Sequence, residues 1–114
     1  KVVSRIESQL KIELNGMKIQ LAGIAYKTGI SDMRESPALE LIKVLESNGS
    51  QVTYHDPFIS NWEHLYSEPL KTDIDLGIIV TPHSQIDFSI WKNSKIQVLD
   101  LSPNLINFGW PKFL

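Results

Sequence analysis

Two cationic side chains, Lys27 and Arg34, lie in one polar loop of this sequence. The loop follows the apolar run 18–22, which predicts a buried strand, and leads into an amphipathic helix expected from about Pro37. In open α/β sheets, ligands bind beyond the carboxyl ends of the strands, and a helix N-terminus offers N–H groups and a partial positive charge to an anion. The position of the two cations therefore indicates a site for a phosphate-bearing ligand.

The same loop carries a longer motif. It reads Gly23-Ile24-Ala25-Tyr26-Lys27, then Asp32-Met33-Arg34-Glu35-Ser36-Pro37. This order resembles the signature of the C-terminal, UDP-binding domain of nucleotide-sugar dehydrogenases, the UDP-glucose/GDP-mannose dehydrogenase family. Tyr54-His55-Asp56-Pro57 resembles the Tyr-x-Asp-Pro that closes that family's next strand. The resemblance covers residues 1 to about 101, and its specific part lies within 23–37.

The resemblance implies roles for three side chains. Tyr26 and Lys27 are expected to bind a UDP-sugar, with the lysine at its charged or sugar-bearing end. Arg34 is expected to reach the pyrophosphate of NAD across a domain interface, since a planar guanidinium suits a phosphate. The residues by themselves leave other interpretations open: a solvated Lys27, a Tyr26 that closes the core, and an Arg34 paired with Asp32 or Glu35.

The resemblance also implies the reaction of a whole enzyme. An NAD-dependent UDP-sugar 6-dehydrogenase oxidises a UDP-hexose to a UDP-hexuronic acid for capsule or related polysaccharide synthesis. The absence of cysteine from the sequence separately fits a cytoplasmic location. The family holds a thioester on a cysteine, whereas this chain has no cysteine and no Gly-x-Gly-x-x-Gly after its first strand. The chain is therefore expected not to be catalytic alone. Its expected partners are a UDP-sugar, its own N-terminal and central domains (the former holding most of the NAD), and further copies of the full enzyme.

Apolar periodicity predicts one α/β domain preceded by a helix. Apolar residues recur at helical spacing over 2–14, and this helix has no obvious cap. Residues 1–16 are therefore expected to be the end of a long central linker or dimerisation helix, and residues 17–114 the UDP-binding domain.

Strands are predicted at 18–25, 51–55, 74–81 and 96–101. Helices are predicted at 37–48, with Ser36 as the N-cap, at 84–93, with Ile86, Ile90 and Trp91 facing inward, and in a short segment near 62–66. Alternating strands and helices predict a Rossmann-like three-layer domain with a mainly parallel sheet.

Composition and the remaining polar residues narrow the function classes. The hydrophobic share of 42% is ordinary for a globular protein, and the net charge of -2 with scattered Lys and Arg argues against nucleic-acid binding. No apolar run reaches the length of a membrane span. His55, His64 and His83 share no metal-ligand spacing, although His83 follows a predicted strand on the cleft side. Asp56 before Pro57 is interpreted as a turn former.

The end of the last predicted strand departs from the family pattern. The family usually has Asp-x-Arg-Asn there, and the arginine grips the UDP-sugar, whereas this chain reads Asp100-Leu101-Ser102-Pro103-Asn104. Lys95 and Lys112 are the nearest cations in sequence that could replace the arginine. A non-catalytic assembly domain of the same fold, which has lost UDP binding, is therefore the alternative function. A receiver-type signalling domain is excluded, because Tyr26-Lys27 and Thr81-Pro82 stand where it needs acids.

Overall fold

A parallel sheet forms the centre of the molecule. The computed structural model describes residues 2–34, 36–102 and 109–113. In chain order its elements are α1 (Val2–Leu10), β1 (Lys18–Ala22), α2 (Pro37–Ser47), β2 (Gln51–His55), β3 (Asn61–Trp62), β4 (Leu65–Tyr66), β5 (Leu76–Ile79), α3 (Ser89–Lys92) and β6 (Gln97–Asp100).

The order of strands creates a switch point between β1 and β5. The sheet runs β2-β1-β5-β6 and all its neighbouring strands are parallel. From β1 the chain passes outward through α2 to β2, and from β5 it passes the opposite way through α3 to β6. The predicted Rossmann-like α/β fold with a mainly parallel sheet is thus confirmed. In such sheets the crevice beyond the strands where the direction reverses is the usual ligand site.

Each face of the sheet carries its own hydrophobic core. On one face, Ile19 and Leu21 of β1 pack with Leu41 and Leu45 of α2 in the larger core. On the other face, the smaller core surrounds Trp91 of α3 and includes alternate residues of the strands, among them Ala22, Ile79 and Val98. Burial on both faces explains why the strands read as nearly continuous apolar runs.

Two predicted boundaries in the first quarter of the chain are wrong. Helix α1 ends at Leu10 and not at Leu14, because Lys11 turns the backbone into the left-handed region at φ +58°. Leu14 is nevertheless buried, and its N–H donates to the Glu7 carboxylate at 2.9 Å. Strand β1 ends at Ala22 and not at residue 25, because Gly23 has φ +82°. The division at residue 16 stays a prediction.

The predicted short helix near 62–66 is wrong. Strands β3 and β4 form an antiparallel hairpin, in which Glu63 adopts φ +55° at the turn. The chain after the hairpin runs along β2, since the Glu68 N–H donates to the Tyr54 carbonyl at 2.9 Å. This segment therefore covers an edge of the sheet that periodicity alone left undefined.

The predicted helix at 84–93 is shorter than expected. Only Ser89–Lys92 is α-helical, because the preceding residues form turns: the Ile86 N–H donates to the His83 carbonyl at 3.1 Å. Ile86 and Trp91 are buried as predicted, whereas Ile90 is 49% exposed, so the prediction that it faces inward is wrong.

The described part of the C-terminal tail adds to the other edge of the sheet. The Asp100 N–H donates to the Pro111 carbonyl at 2.9 Å, and the Phe113 N–H donates to the Asp100 carbonyl at 3.0 Å. Residues 109–113 therefore dock beside β6.

We expect Gly23→Ala to destabilise the fold far more than Gly16→Ala. Both glycines have φ near +81°, but a Cβ at Gly16 meets nothing within 4 Å, whereas one at Gly23 would stand 1.9 Å from the Thr81 carbonyl oxygen. The left-handed backbone alone costs an alanine about 1–2 kcal/mol. The clash adds to this, so that Gly23→Ala should lose about 3 kcal/mol or more of unfolding free energy in urea titrations. Equal losses for the two variants would contradict the close approach of β1 and Thr81.

Candidate ligand-binding site

The loop between β1 and α2 is closed by its own hydrogen bonds. The Tyr26 N–H donates to the Asp32 carbonyl at 2.6 Å. The Ser36 hydroxyl donates to the Ile24 carbonyl at 2.5 Å and accepts from the Ala38 N–H at 3.2 Å. One hydroxyl therefore joins the two ends of the loop and begins α2, which confirms Ser36 as the N-cap.

The buried side chain of Asp56, which follows β2, fixes the start of this loop by hydrogen bonds. The residue is 2% exposed, and its Oδ2 accepts from the Ile24 N–H at 2.7 Å and from the Ala25 N–H at 3.0 Å. Its Oδ1 accepts from the Phe58 N–H at 2.8 Å, which is the turn that the sequence predicted. Asp56 therefore does more than form a turn, since its Oδ2 fixes the backbone of Ile24 and Ala25, just before Tyr26.

His83 ties the tip of the loop to the same carboxylate. Its ring is buried, with Nε2 at 3.1 Å from Asp56 Oδ2 and Nδ1 at 2.7 Å from the Gly29 nitrogen. A backbone N–H can only donate, so Nδ1 accepts from it and the ring proton lies on Nε2, directed at Asp56. His83 does lie at the cleft side, as predicted, but it is covered by the loop.

Thr81 joins the ends of β1 and β5. Its buried hydroxyl donates to the Ala25 carbonyl at 2.6 Å. Sequence reasoning gave no site role to Thr81, and none to Asp56 beyond a turn. The signal was present: Asp56 and Thr81-Pro82-His83 each follow a predicted strand, and the carboxyl ends of parallel strands meet at one edge of the sheet.

Tyr26 and Lys27 are exposed on the outer side of the loop. Tyr26 is 42% exposed, and the Lys27 ammonium lies 5.4 Å from the centre of its ring. None of the ion pairs between described residues involves Lys27. The interpretation of Tyr26 as a core-closing ring is therefore weakened, and an exposed ammonium beside an aromatic face is available to an anionic ligand.

Arg34 makes the local ion pair that the sequence left open as an alternative. Its Nε and a terminal nitrogen donate to the two oxygens of Asp32 at 3.1 and 3.0 Å, while 89% of its side chain stays exposed. Hydrogen bonds from Arg34 hold the pKa of the Asp32 carboxyl below its usual value, and Asp32 in turn raises the pKa of Arg34. Glu35, the other candidate partner, lies outside the described residues.

The expectation of unpaired N–H groups at the start of α2 is wrong. Pro37 has no N–H, the Ala38 N–H is bonded to the Ser36 hydroxyl, and the Leu39 N–H donates to the Ser36 carbonyl at 3.3 Å. The helix end can therefore contribute its dipole to anion binding but not these N–H groups. The amides of Ala38 and Leu39 at this helix end are thus already bonded within the chain.

The two cations proposed as substitutes for the missing arginine lie at opposite ends of the sheet. Lys112 reaches the carboxyl end of β6, where its ammonium is 2.8 Å from Asp100 Oδ2 and 3.5 Å from Ser102 Oγ. Lys95 precedes β6 at the amino end of the sheet. Pro103 and Asn104 of the departing motif lie outside the described residues.

Tyr54 lies in strand β2, close in sequence to Asp56. Its buried hydroxyl donates to the Ile59 carbonyl at 2.9 Å. Burial, with a smaller effect of the negative charge of Asp56, raises the pKa of Tyr54 to about 12. The phenol is thus held in its neutral, donating form.

The part of the chain that the structure describes contains neither a metal-binding cluster nor a membrane-spanning helix. No group of three or more His, Asp or Glu side chains there is placed to hold a metal ion. His64, for example, pairs with Glu46 at 2.8 Å on the surface. None of the helices in these residues combines the length and apolar composition needed to cross a membrane.

Comparison with known proteins identifies the family. The UDP binding domain of the UDP-glucose/GDP-mannose dehydrogenase family matches residues 20–106. The chain belongs to this family. It is 32% identical over 100 residues to a UDP-glucose 6-dehydrogenase of Rickettsia bellii, covering 87% of this chain and 23% of that protein. It is 31% identical over 110 residues to a UDP-N-acetyl-D-mannosamine dehydrogenase of Methanococcus maripaludis, covering 93% and 25%.

Solved structures support the fold. A UDP-N-acetyl-mannosamine dehydrogenase from Staphylococcus aureus aligns with a TM-score of 0.71 at 22% identity, over 98% of this chain and 29% of that chain. The sequence thus spans about a quarter of the length of the relatives that it matches.

We expect alkaline pH to destabilise the chain through Tyr54. Because the pKa is about 12 in the folded state against 10 for the free side chain, the folded state keeps its proton over a range in which the unfolded state loses it. This contribution is fully present below pH 10 and is lost as the pH rises toward 12. The difference in unfolding free energy between the unaltered chain and Tyr54→Phe should therefore shrink by on the order of 2 kcal/mol between pH 10 and 12. A difference that stays constant over this range would contradict the buried, neutral phenol.

Proposed function

We propose that this chain is the C-terminal UDP-sugar-binding domain of an NAD-dependent UDP-sugar 6-dehydrogenase, which makes UDP-hexuronic acids for polysaccharide synthesis in the cytoplasm. The observation that carries the proposal is the placement of Lys27. Its ammonium is exposed beside Tyr26, on a loop that hydrogen bonds fix at the switch point of the sheet. Membership of the family and the activities of the named relatives agree with it.

In this proposal the domain grips the nucleotide end of the substrate. The Lys27 ammonium pairs with the diphosphate and the Tyr26 ring packs against the ligand. The sugar then projects toward a cysteine and a nicotinamide supplied by the rest of the enzyme, since this chain has no cysteine. Fixing the substrate in this way can contribute much of a rate enhancement without any contact to the reacting bond.

Arg34 is the proposed contact to the cofactor. NAD accepts the hydride from the substrate alcohol, and its pyrophosphate is a doubly charged group that suits a guanidinium. Asp32 holds two nitrogens of Arg34 but leaves the side chain largely exposed. The ion pair can therefore aim the arginine toward a neighbouring domain. The N-terminal and central domains, and other copies of the enzyme, are the proposed partners, and α1 is proposed to continue the central helix.

The alternative function is an assembly domain that no longer binds UDP. The family arginine is missing, and Lys112, a cation at the carboxyl end of β6, already pairs with Asp100. UDP binding would then depend on Lys27 without the arginine that other family members have after the last strand.

Calorimetric titration of the chain with UDP tests the proposal. We expect weak binding by the unaltered chain and a further loss of about ten- to a hundredfold for Lys27→Ala, because a charge-assisted hydrogen bond contributes about 1.5–3 kcal/mol. Lys95→Ala is the matched control, since it removes an exposed lysine at the opposite end of the sheet and should leave the affinity unchanged. Absence of heat for the unaltered chain would favour the assembly domain, and equal affinities for the two variants would remove Lys27 from the site.

Arg34 can be tested separately from Lys27. In the full-length enzyme we expect Arg34→Ala to raise the KM for NAD about tenfold or more, since it removes a charged contact to a phosphate. UDP binding by the 114-residue chain should be unaffected by the same change. A loss of UDP affinity with an unchanged KM for NAD would instead place Arg34 in the substrate site.

A further inference from the structure

We infer that His83, oriented by Asp56, is a positioning residue of the proposed UDP site. Its neutral imidazole holds the Gly29 amide and thereby the loop segment that carries Tyr26 and Lys27. The inference rests on the proposed function, because it assigns to His83 a share in the affinity for the nucleotide without any contact to it.

The loop depends on hydrogen bonds because little of it is buried. Residues 26–31 are all exposed, and a Cβ at Gly29 would meet nothing within 4 Å. The bond between Tyr26 and Asp32 closes the base of this segment, and the bond from Gly29 to His83 ties its tip to the interior. Hydrophobic contact contributes little to the position of Lys27, which lies between these two attachments.

The direction of each hydrogen bond follows from the group that the ring faces, the Asp56 carboxylate at Nε2 and the Gly29 N–H at Nδ1. Asp56 Oδ2 already accepts from the Ile24 and Ala25 N–H groups, so it can only attract a further donor. This places an imidazole proton on Nε2, and the Gly29 N–H, which can only donate, requires a lone pair on Nδ1. The Phe58 ring, 4.8 Å from the imidazole centre, restricts its orientation. One carboxylate therefore fixes the loop at its start directly and at its tip through His83.

Such an arrangement favours binding by reducing its entropic cost. An exposed lysine on a mobile loop loses conformational freedom when it pairs with a phosphate, whereas a loop already held in place loses less. Removal of the Nδ1 acceptor should therefore weaken UDP binding even though His83 is covered by protein.

Two substitutions separate the two ring nitrogens. In His83→Asn the side-chain oxygen occupies the place of Nδ1 and can still accept from Gly29. In His83→Gln the amide nitrogen occupies the place of Nε2 and can still donate to Asp56, but nothing replaces the Nδ1 acceptor. Both variants lose the ring and its contact with Phe58, so each is the control for the other.

We expect His83→Gln to lose affinity for UDP and His83→Asn to keep it. Loss of one neutral hydrogen bond predicts about a three- to tenfold weaker affinity for UDP in His83→Gln, with affinity in His83→Asn close to that of the unaltered chain. Hydrogen exchange of the Gly29 amide, followed by NMR, should be slow in the unaltered chain and in His83→Asn, and fast in His83→Gln.

The results that would overturn the inference can be told apart. Failure of the unaltered chain to bind UDP refutes the proposed function and this assignment with it. Equal UDP affinities of the two variants refute the positioning role alone, and so does slow exchange of Gly29 in His83→Gln. If a variant fails to fold, NMR of the unaltered chain decides, because a protonated Nδ1 or fast exchange of the Gly29 amide contradicts the clamp.

Discussion

The buried carboxylate of Asp56 is the constraint on which the site depends. It lies at the end of β2, yet it accepts N–H groups from the loop after β1 and the imidazole that follows β5. A buried carboxylate is tolerated only when donors surround it, and here the donors come from three separate parts of the chain. The carboxyl ends of β1, β2 and β5 are therefore held in one geometry by a single charged group.

This use of the backbone determines how an anion can be bound. The N–H groups of Ile24, Ala25 and Gly29 are directed inward, and those at the start of α2 are absent or capped. The loop is thus unlike a phosphate-binding turn, in which the amides themselves surround the ligand. Under the proposed function its binding groups are the side chains of Tyr26 and Lys27, and their position depends on how firmly the inward-facing amides are fixed. The buried hydrogen bonds of Asp56 and His83 therefore hold the loop that carries the exposed ammonium of Lys27.

Sequence reasoning selected the exposed residues of this loop and missed the buried contacts beneath them. Periodicity located the strands, because burial on both faces gives apolar runs, and the Ser36-Pro37 cap located α2. The exposed Lys27 was recognisable from its motif. Asp56 and His83 are 27 residues apart, and no local pattern reports a hydrogen bond at that separation. The hairpin after β2 was missed for a similar reason, since two-residue strands leave almost no period to detect.

The buried polar side chains that follow β2 and β5 are bonded to other groups of the chain, namely those of Asp56, Thr81 and His83. A covalent catalyst needs a reactive group with an activating base at hydrogen-bond distance. Here the only buried imidazole among the described residues is bonded through both nitrogens, to Asp56 and to Gly29, and cannot accept a proton without releasing the loop. The buried polar groups at the switch point therefore serve to hold the loop after β1 in place. Under the proposed function, reaction chemistry is supplied by another part of a longer enzyme, and the contribution of this domain is to present a charge at a fixed position.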